Sequence, residues 1–216
     1  MLKISPSLLA ANFACLEKDI KAVEEGGVEW LHLDVMDGDF VPNISFGPCV
    51  ISSIRKISKL YFDVHLMIKE PLRYIEDYKK AGADSVTVHL EACSDVRETL
   101  MKIKSLGMKA GLSVKPKTPV SEIEPYIDLC DLILIMTVEP GFGGQKLIPE
   151  TVKKIGEAVR LCEKHGVSAE IEADGGITEQ NVGELINEGL TVCVAGSAVF
   201  RADDKAAAVK ALRGAI

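Results

Sequence analysis

The sequence predicts an α/β protein, a single (β/α)8 TIM barrel formed by residues 1–216. Short runs rich in Val, Ile and Leu alternate with longer segments of helical period, and this unit recurs eight times. A chain of 216 residues is too short for two ordinary domains with a linker, whereas one barrel commonly has this size. Eight strands fit a closed barrel better than an open doubly wound sheet, which usually has fewer strands.

The predicted strands are short and mostly apolar. If the run 3–5 or the run 109–114 is not a strand, the sheet is open rather than closed. In chain order, the predicted strands are residues 3–5, 29–35, 61–66, 85–90, 109–114, 132–138, 169–173 and 191–195.

The predicted helices lie between these strands, and glycine follows several of them, as is common where helices end. Three longer loops, residues 36–47, 115–122 and 139–149, each follow a strand. In a barrel such loops open on the C-terminal face, where active sites lie. The helical segments include residues 13–25, 72–80, 96–105, 151–165 and 179–187.

Charge and composition exclude several classes of partner. A total of 25 Lys and Arg against 32 Asp and Glu gives a formal net charge of −7, which repels nucleic acid and anionic membrane surfaces. No apolar run approaches the roughly 20 residues of a membrane span, and no secretory leader precedes the first strand. We therefore expect a cytoplasmic protein without nucleic-acid or membrane partners. Its 6 cysteines are scattered and are expected to be reduced thiols.

Polar side chains recur with period two in the second and third predicted strands, near their C-terminal ends. His32, Asp34 and Met36 share one face of the second strand, while its aliphatic residues share the other face. The aliphatic face must meet the helices, so the polar face points into the barrel. Asp63, His65 and Met67 repeat this arrangement on the third strand.

A third carboxylate, Asp174, ends the seventh predicted strand, across the barrel. Two imidazoles and two carboxylates that converge at one mouth, from His32, Asp34, His65 and Asp174, form a mixed nitrogen and oxygen ligand set. Such a set suits one divalent ion per subunit, namely zinc, iron(II), manganese or cobalt. A single buried histidine is more often structural, but the combination of four residues favours a metal site.

Glycine-rich loops follow the last three predicted strands. Glycine lets backbone amides approach an anion closely, and the phosphate site of this fold commonly lies beside these strands. We therefore predict a phosphate site, to which Lys146 either contributes or presents only a solvated side chain. The loop residues are Gly141, Phe142, Gly143, Gly144, Gly175, Gly176, Gly196 and Ser197.

A metal site next to a phosphate site indicates a small ketose phosphate as substrate. A metal that accepts the ketone oxygen and its neighbouring hydroxyl stabilises the enediolate formed when the intervening proton leaves. Asp34 and Asp174 could flank the reacting carbon, and inversion of a carbon centre requires two such groups. Each aspartate must then give the metal one oxygen and keep the other for the proton.

The chain resembles the ribulose-phosphate 3-epimerase family over nearly its whole length. The resemblance rests on the segments ISPSLLA (residues 4–10), HLDVMDG (32–38), FVPN (40–43), FGP (46–48), DVHLM (63–67), MTVEPGFGGQ (136–145), DGGI (174–177) and GSA (196–198).

This resemblance implies a barrel of the ribulose-phosphate-binding type that acts in the pentose phosphate pathway as a homo-oligomer. It implies metal binding by His32, Asp34, His65 and Asp174. It also implies that Asp34 is the proton acceptor and Asp174 the proton donor when D-ribulose 5-phosphate becomes D-xylulose 5-phosphate. It also implies that Ser7 and His65 contact substrate and that the glycine loops hold the phosphate. Met36, Met67 and Met136 match positions that line the cavity of the family.

Several alternatives stay open from the sequence alone. The substrate could be a hexulose phosphate such as D-allulose 6-phosphate, the reaction could be metal-dependent phosphoester hydrolysis, or the chain could only bind sugar phosphate or metal. Asp63 is hypothesised to orient a ligating imidazole, or else is a buried structural carboxylate. His89, beside Glu91, either borders the sugar or is structural, and the structural role is favoured.

Overall fold

The computed structural model describes residues 2–214 and contains eight parallel strands. All eight predicted strands are present, including those predicted at 3–5 and 109–114, and their bounds are shifted by at most a few residues. The strands are β1 (Lys3–Pro6), β2 (Trp30–Met36), β3 (Tyr61–Met67), β4 (Ser85–His89), β5 (Lys109–Val114), β6 (Leu132–Met136), β7 (Glu170–Asp174) and β8 (Val192–Ala195).

The strands form a barrel in which each consecutive pair from β2 to β8 is hydrogen-bonded in parallel, and β8 returns to β1. Among the described residues, β1 and β2 are joined by one parallel bridge, between Ser7 and His32. The side chain of Glu29 supports this seam by accepting the N–H of Ile4 at 3.1 Å. The fold is therefore the predicted barrel, nearly closed.

Helices surround the barrel, and residues 96–105 form a helix with the predicted bounds. Val120–Leu129, after β5, is a 3₁₀-helix that contains Pro125. The α-helices are α1 (Leu16–Glu25), α2 (Pro48–Arg55), α3 (Ile75–Ala81), α4 (Val96–Ser105), α5 (Val152–His165), α6 (Val182–Asn187), α7 (Ser197–Phe200) and α8 (Lys205–Gly214). Within residues 2–214, none of them combines the length and the apolar character that crossing a membrane requires.

The hydrophobic core has two parts. The larger part lies between the barrel and the helices and includes Leu31 and Leu33, on the aliphatic face of β2. A smaller cluster includes Leu132, Leu134 and Met136, which lie on one face of β6. Met136 on this face is paired with Asp174 of β7, and the face points into the barrel. The interior faces of β2, β3 and β4 instead carry buried polar and titratable groups.

The cysteine and histidine predictions can be compared directly with this architecture. All six cysteines are free thiols, and Cys130 and Cys193 are buried. His32 is the third of seven residues in β2, so it lies deeper in the barrel than the strand end predicted for it. The strand register explains this depth, since Asp34, rather than His32, is level with His65 on β3.

Candidate active site

A cavity of about 560 Å³ opens at the C-terminal ends of the strands. This volume suits a small ligand, since ligand pockets are usually several hundred cubic ångströms. The cavity is bordered by the carboxylates of Asp34 and Asp174, by Ser7 and by the glycine loops that follow β6, β7 and β8. The residues predicted to perform chemistry therefore share one cavity at the predicted face of the barrel.

The predicted metal ligands meet at and beneath the floor of this cavity, where Asp34 and Asp174 line it while His32 and His65 are buried and do not border it. Each of His32, Asp34, His65 and Asp174 has one potential ligand atom within 4.8 Å of those of the other three. Oδ1 of Asp34 lies 3.3 Å from Nε2 of His32 and 3.1 Å from Nδ1 of His65. The two imidazole nitrogens are 3.4 Å apart. Three separated strands thus bring these four side chains together.

The spacing of these atoms suits a shared cation. Two donor atoms that each bind one tetrahedral ion at about 2.0 Å lie about 3.3 Å from each other. The three short distances in the cluster, 3.1, 3.3 and 3.4 Å, are close to this value. His32, Asp34 and His65 therefore fit a divalent ion in both chemistry and spacing, and Asp174 offers a fourth ligand atom within 4.8 Å of theirs.

The charge balance of the cluster also favours a cation. Burial alone would lower the pKa of His32, but the carboxylates of Asp34 and Asp63 raise it well above its usual value. Nδ1 of His32 is 2.6 Å from Oδ2 of Asp63, so this ring nitrogen donates to Asp63 and Nε2 faces the cluster. The position next to Nε2 is thus one at which positive charge is stabilised.

The two oxygens of Asp34 have different surroundings. Oδ1 faces the imidazoles of His32 and His65, whereas Oδ2 accepts a hydrogen bond from Oγ of Ser7. Because Ser7 and Asp34 both line the cavity, the second oxygen is on the substrate side. The two oxygens of Asp34 therefore face different surroundings, one the imidazoles and the other the cavity.

The two aspartates also differ in their pKa values. Burial alone would raise the pKa of Asp34, but the imidazoles of His32 and His65 hold it well below its ordinary value. Burial and the charge of Asp34 raise the pKa of Asp174 to about 7. Near neutral pH, Asp34 is therefore ionised while Asp174 can carry a proton, which is the pattern expected of a base and an acid that share one site.

A second group of acidic residues lies below the metal cluster, inside the barrel. Asp63 contacts His32 on the neighbouring strand rather than His65 on its own strand, and it also accepts a hydrogen bond from Ser85 at 2.9 Å. Glu172, buried on β7, has Oε1 at 3.5 Å from Nδ1 of His32. The 2.6 Å contact between His32 and Asp63 is a hydrogen-bond length and leaves no room for an ion between the two.

His89 lies at the end of β4 but does not line the cavity. Its Nε2 is 2.9 Å from Nε2 of His65, on the side of that ring which faces away from Asp34. The structure therefore places His89 behind a predicted metal ligand and not beside the sugar.

The glycine loops form the other end of the cavity. Gly176 has φ +66°, and a Cβ there would lie 2.3 Å from the backbone nitrogen of Leu147, so only glycine fits between the two loops. Gly141 does not border the cavity, and its carbonyl instead accepts a hydrogen bond from Asn43. The predicted loop residues that do border the cavity are Phe142, Gly143, Gly144, Gly175, Gly176, Gly196 and Ser197.

The three methionines predicted from inward parity all border the cavity. Met36, Met67 and Met136 are nearly completely buried, and the first two belong to a small apolar cluster with Val41. They give the cavity an apolar wall near the carboxylates of Asp34 and Asp174. His65, which was predicted to contact the substrate, does not border the cavity.

Sequence analysis missed Asn181, which also borders the cavity. Its Nδ2 donates to the carbonyl of Gly176 at 2.9 Å, and its Oδ1 accepts the N–H of Thr178 at 2.8 Å. Asn181 thereby holds the loop after β7 in shape. The spacing of Thr178 and Asn181 before a helix is a signal that could have indicated this turn. Lys146 borders the cavity as well.

Comparisons with known proteins agree with this geometry. The model of the ribulose-phosphate 3 epimerase family matches residues 3–200. A chloroplastic ribulose-5-phosphate-3-epimerase from Arabidopsis thaliana is 50% identical over 212 residues, which cover 97% of this chain and 75% of the relative. A ribulose-phosphate 3-epimerase from Bacillus subtilis is 47% identical, with 99% of both chains covered.

Solved structures with much lower identity share the fold. A 3-hexulose-6-phosphate synthase superimposes with a TM-score of 0.72 at 18% identity, with both chains covered completely. The KGPDC of Streptococcus mutans superimposes with a TM-score of 0.72 at 12% identity, covering 100% of this chain and 97% of that one. At such identities the likeness concerns the barrel alone.

Proposed function

The chain belongs to the ribulose-phosphate 3-epimerase family and is an isomerase, and we propose that it interconverts D-ribulose 5-phosphate and D-xylulose 5-phosphate by a metal-dependent, two-aspartate mechanism. One observation carries the proposal. The cluster of two imidazoles and two carboxylates lies at the floor of the same cavity whose rim is formed by the glycine loops. A ketose phosphate has a ketone and a neighbouring hydroxyl for the end with the imidazoles and carboxylates, and a phosphate for the end with the glycine loops.

His32, Asp34, His65 and Asp174 would hold one divalent ion, namely zinc, iron(II), manganese or cobalt. When bound, the ion supplies positive charge that stabilises the enediolate form of the substrate. The chain itself prepares this position, because the carboxylates of Asp34 and Asp63 already favour positive charge there.

The proton at C3 is moved by the two aspartates. Asp34, whose pKa is lowered, accepts the proton from D-ribulose 5-phosphate through Oδ2, the oxygen that Ser7 holds. Asp174, whose pKa is raised to about 7, returns a proton to the other face of the carbon. Because different residues serve the two faces, the centre inverts. In the reverse direction the two residues exchange roles.

The substrate phosphate is bound by the glycine loops. Gly144, Gly176, Gly196 and Ser197 line the cavity, and at the three glycines the absence of a side chain permits close approach of an anion to the backbone. Ser7, near the floor, contacts the sugar hydroxyls. Met36, Met67 and Met136 line the cavity beside the two aspartates and would face the reacting carbon.

The proposal is tested by proton exchange at C3 of D-ribulose 5-phosphate in D₂O. Asp34→Asn should lose both exchange and epimerisation by about 10³-fold or more. Asp174→Asn should lose epimerisation to a similar extent but retain more exchange from D-ribulose 5-phosphate, because Asp34 still removes the proton. When the substrate is D-xylulose 5-phosphate, the results should be reversed: Asp174→Asn should lose proton exchange, and Asp34→Asn should retain more of it. The exposed Asp77→Asn serves as the matched control.

Metal removal and alternative substrates complete the test. A chelator should abolish exchange, and one of the four ions should restore it. Substantial epimerisation by either aspartate variant would contradict the two-aspartate mechanism. Faster turnover of D-allulose 6-phosphate would replace the pentulose by a hexulose substrate, and phosphate release would indicate a hydrolase. The proposal also includes a cytoplasmic homo-oligomer, and light scattering of the purified protein tests its assembly.

A further inference from the structure

The cavity carries little positive charge for a substrate that is an anion. Within residues 2–214, the acidic side chains that line it are Asp34, Asp174 and Glu184, and the basic one is Lys146. The whole chain has a formal net charge of −7. A phosphate monoester carries a charge of about −2 near neutral pH, so this field opposes its binding. A further cationic side chain beside the glycine loops would therefore favour the substrate.

Arg201 is a cationic side chain in this position. It is an exposed residue that directly follows α7, the short helix after β8. A Cβ atom at Gly144, in the loop after β6, would lie 3.7 Å from Nη2 and 3.9 Å from Nη1 of Arg201. Gly144 lines the cavity. The guanidinium group of Arg201 is therefore adjacent to a residue of the predicted phosphate site, although it does not itself line the cavity.

The contact between Arg201 and Gly144 joins two loops that are not neighbours in the barrel. In the sheet, β7 lies between β6 and β8, so the loop after β7 lies between the two loops that this contact connects. Gly196 and Ser197, at the start of the segment that ends with Arg201, also line the cavity. Arg201 thus begins at one part of the predicted phosphate site and reaches another part of it.

The guanidinium group of Arg201 is free to accept an anionic partner. Within residues 2–214 its side chain forms neither an ion pair nor a hydrogen bond, whereas three other arginines are each paired with a carboxylate. These are Arg55, Arg97 and Arg213. An anion that binds Arg201 therefore displaces no protein partner. A guanidinium group presents two parallel N–H donors, which match two oxygens of a phosphate group.

We propose that Arg201 binds the phosphate group of the substrate, as a positively charged contact beside the glycine loops. This inference rests on the proposed function for the identity of the substrate, but the anion site itself is a property of the chain. The glycine backbone permits close approach of the phosphate, and Arg201 supplies charge that the lining of the cavity largely lacks.

The first test compares the steady-state kinetics of wild type with Arg201→Gln and Arg201→Lys. With D-ribulose 5-phosphate, Arg201→Gln should raise KM about 10-fold or more and change kcat by less than about 2-fold. The reason is that the phosphate contact is the same before and during the reaction. Arg201→Lys keeps the charge but loses the second donor, so its KM should lie between the other two.

Arg160→Gln is the matched control. Arg160 is also exposed and unpaired within residues 2–214, but it lies on α5 and does not line the cavity. Its substitution removes the same charge from the chain and should leave KM unchanged. Thermal unfolding of every variant checks that a higher KM does not reflect a lost fold.

The second test measures binding of inorganic phosphate by calorimetric titration and needs no enzyme activity. The dissociation constant should be about 10-fold higher in Arg201→Gln than in wild type. Higher ionic strength should weaken phosphate binding more in wild type than in this variant, because salt screens an exposed charge contact.

The outcomes separate this inference from the proposed function. Equal KM and equal phosphate affinity in wild type and Arg201→Gln would overturn the role of Arg201, and so would a loss confined to kcat or an equal effect of Arg160→Gln. If phosphate binding depends on Arg201 but wild type does not epimerise D-ribulose 5-phosphate, the anion site is supported and the proposed reaction fails.

Discussion

At the scale of single residues, Asp34 and Asp174 border the same cavity but are surrounded by opposite charges. Two imidazoles lie near Asp34 and lower its pKa, while Asp174 is partly buried near the charge of Asp34, which raises its pKa to about 7. Two side chains of the same type, both aspartates, can therefore differ at one pH, with one ionised and the other protonated. An acid and a base for two faces of one carbon require this difference.

The sequence predicts the direction of most of these side chains but not their partners. Period two places His32, Asp34 and His65 inside the barrel, and the structure agrees. The same rule applies to Glu172, two residues before Asp174, which was not considered as an interior carboxylate. Contacts across strands depend on register, and no local pattern specifies register. For this reason the partner of Asp63 and the position of His89 became known only from the structure.

Asp63 gives a prediction at this scale. Its Oδ2 is 2.6 Å from Nδ1 of His32, and the charge of the carboxylate makes the opposite nitrogen a better ligand. Asp63→Asn should therefore weaken Co²⁺ binding about 10-fold and reduce turnover, because a neutral amide polarises the ring less. Calorimetric titration measures the affinity, with Asp77→Asn as the exposed control. Unchanged affinity and turnover would show that Asp63 is only a structural carboxylate.

At the scale of elements, helical periodicity predicts where a helix lies more reliably than whether it is an α-helix or a 3₁₀-helix. The segment 96–105 is an α-helix with the predicted bounds, whereas the predicted helices at 13–25 and 72–80 each begin with a 3₁₀ turn. The segment Val120–Leu129 follows β5 in the place of an α-helix but is 3₁₀ throughout. Local propensity and proline decide such details, while the pattern of apolar residues determines only which face is buried.

The loop after β5 is held by a buried lysine of α5. Lys154 is 8% exposed, and its Nζ donates to the carbonyls of Lys115, Pro116 and Thr118 at 2.7 to 3.1 Å. All three donors of the ammonium group are therefore used by one loop. Because Glu91 is bound to the same loop, Lys154 also stabilises the surroundings of His89.

Lys154→Met should consequently destabilise the protein. Three carbonyls would lose a charged donor, at a cost of about 2 to 4 kcal/mol in the free energy of unfolding. Urea denaturation of metal-free protein measures this change, and Lys153→Met, at the exposed neighbouring position, should alter stability by less than about 0.5 kcal/mol. Equal stability of the two variants would show that water replaces Lys154 without cost.

At the scale of the whole molecule, the eightfold repeat predicts eight strands and a closed barrel, and the family resemblance implies a barrel of the ribulose-phosphate-binding type. Neither shows how the barrel is closed. Consecutive strands from β2 to β8 form ladders, but between β1 and β2 the described residues show one backbone bridge, from Ser7, just after β1, to His32. Both residues of this bridge belong to the candidate site. The bridge that helps to close the barrel therefore also contributes to the geometry of the cluster.

Glu29 closes the remainder of this seam and connects it to the last helix. Its Oε2 accepts the N–H of Ile4, a completely buried residue, and its Oε1 accepts a hydrogen bond from Arg213 on α8 at 2.7 Å. Glu29→Ala leaves the N–H of Ile4 without this acceptor, so the free energy of unfolding should fall by about 2 kcal/mol. The amide hydrogen of Ile4 should then exchange faster with solvent.

Glu29→Gln separates the two contacts, because the amide oxygen can still accept from Ile4 while the charge opposite Arg213 is lost. We expect it to lose less than about 1 kcal/mol, since partly exposed ion pairs contribute little. Glu25→Ala, at the exposed end of α1, is the control. If Glu29→Ala is as stable as this control, the seam is held by the bridge at Ser7 alone. If instead it is less stable and also binds Co²⁺ more weakly, barrel closure and the metal cluster are energetically coupled through that bridge.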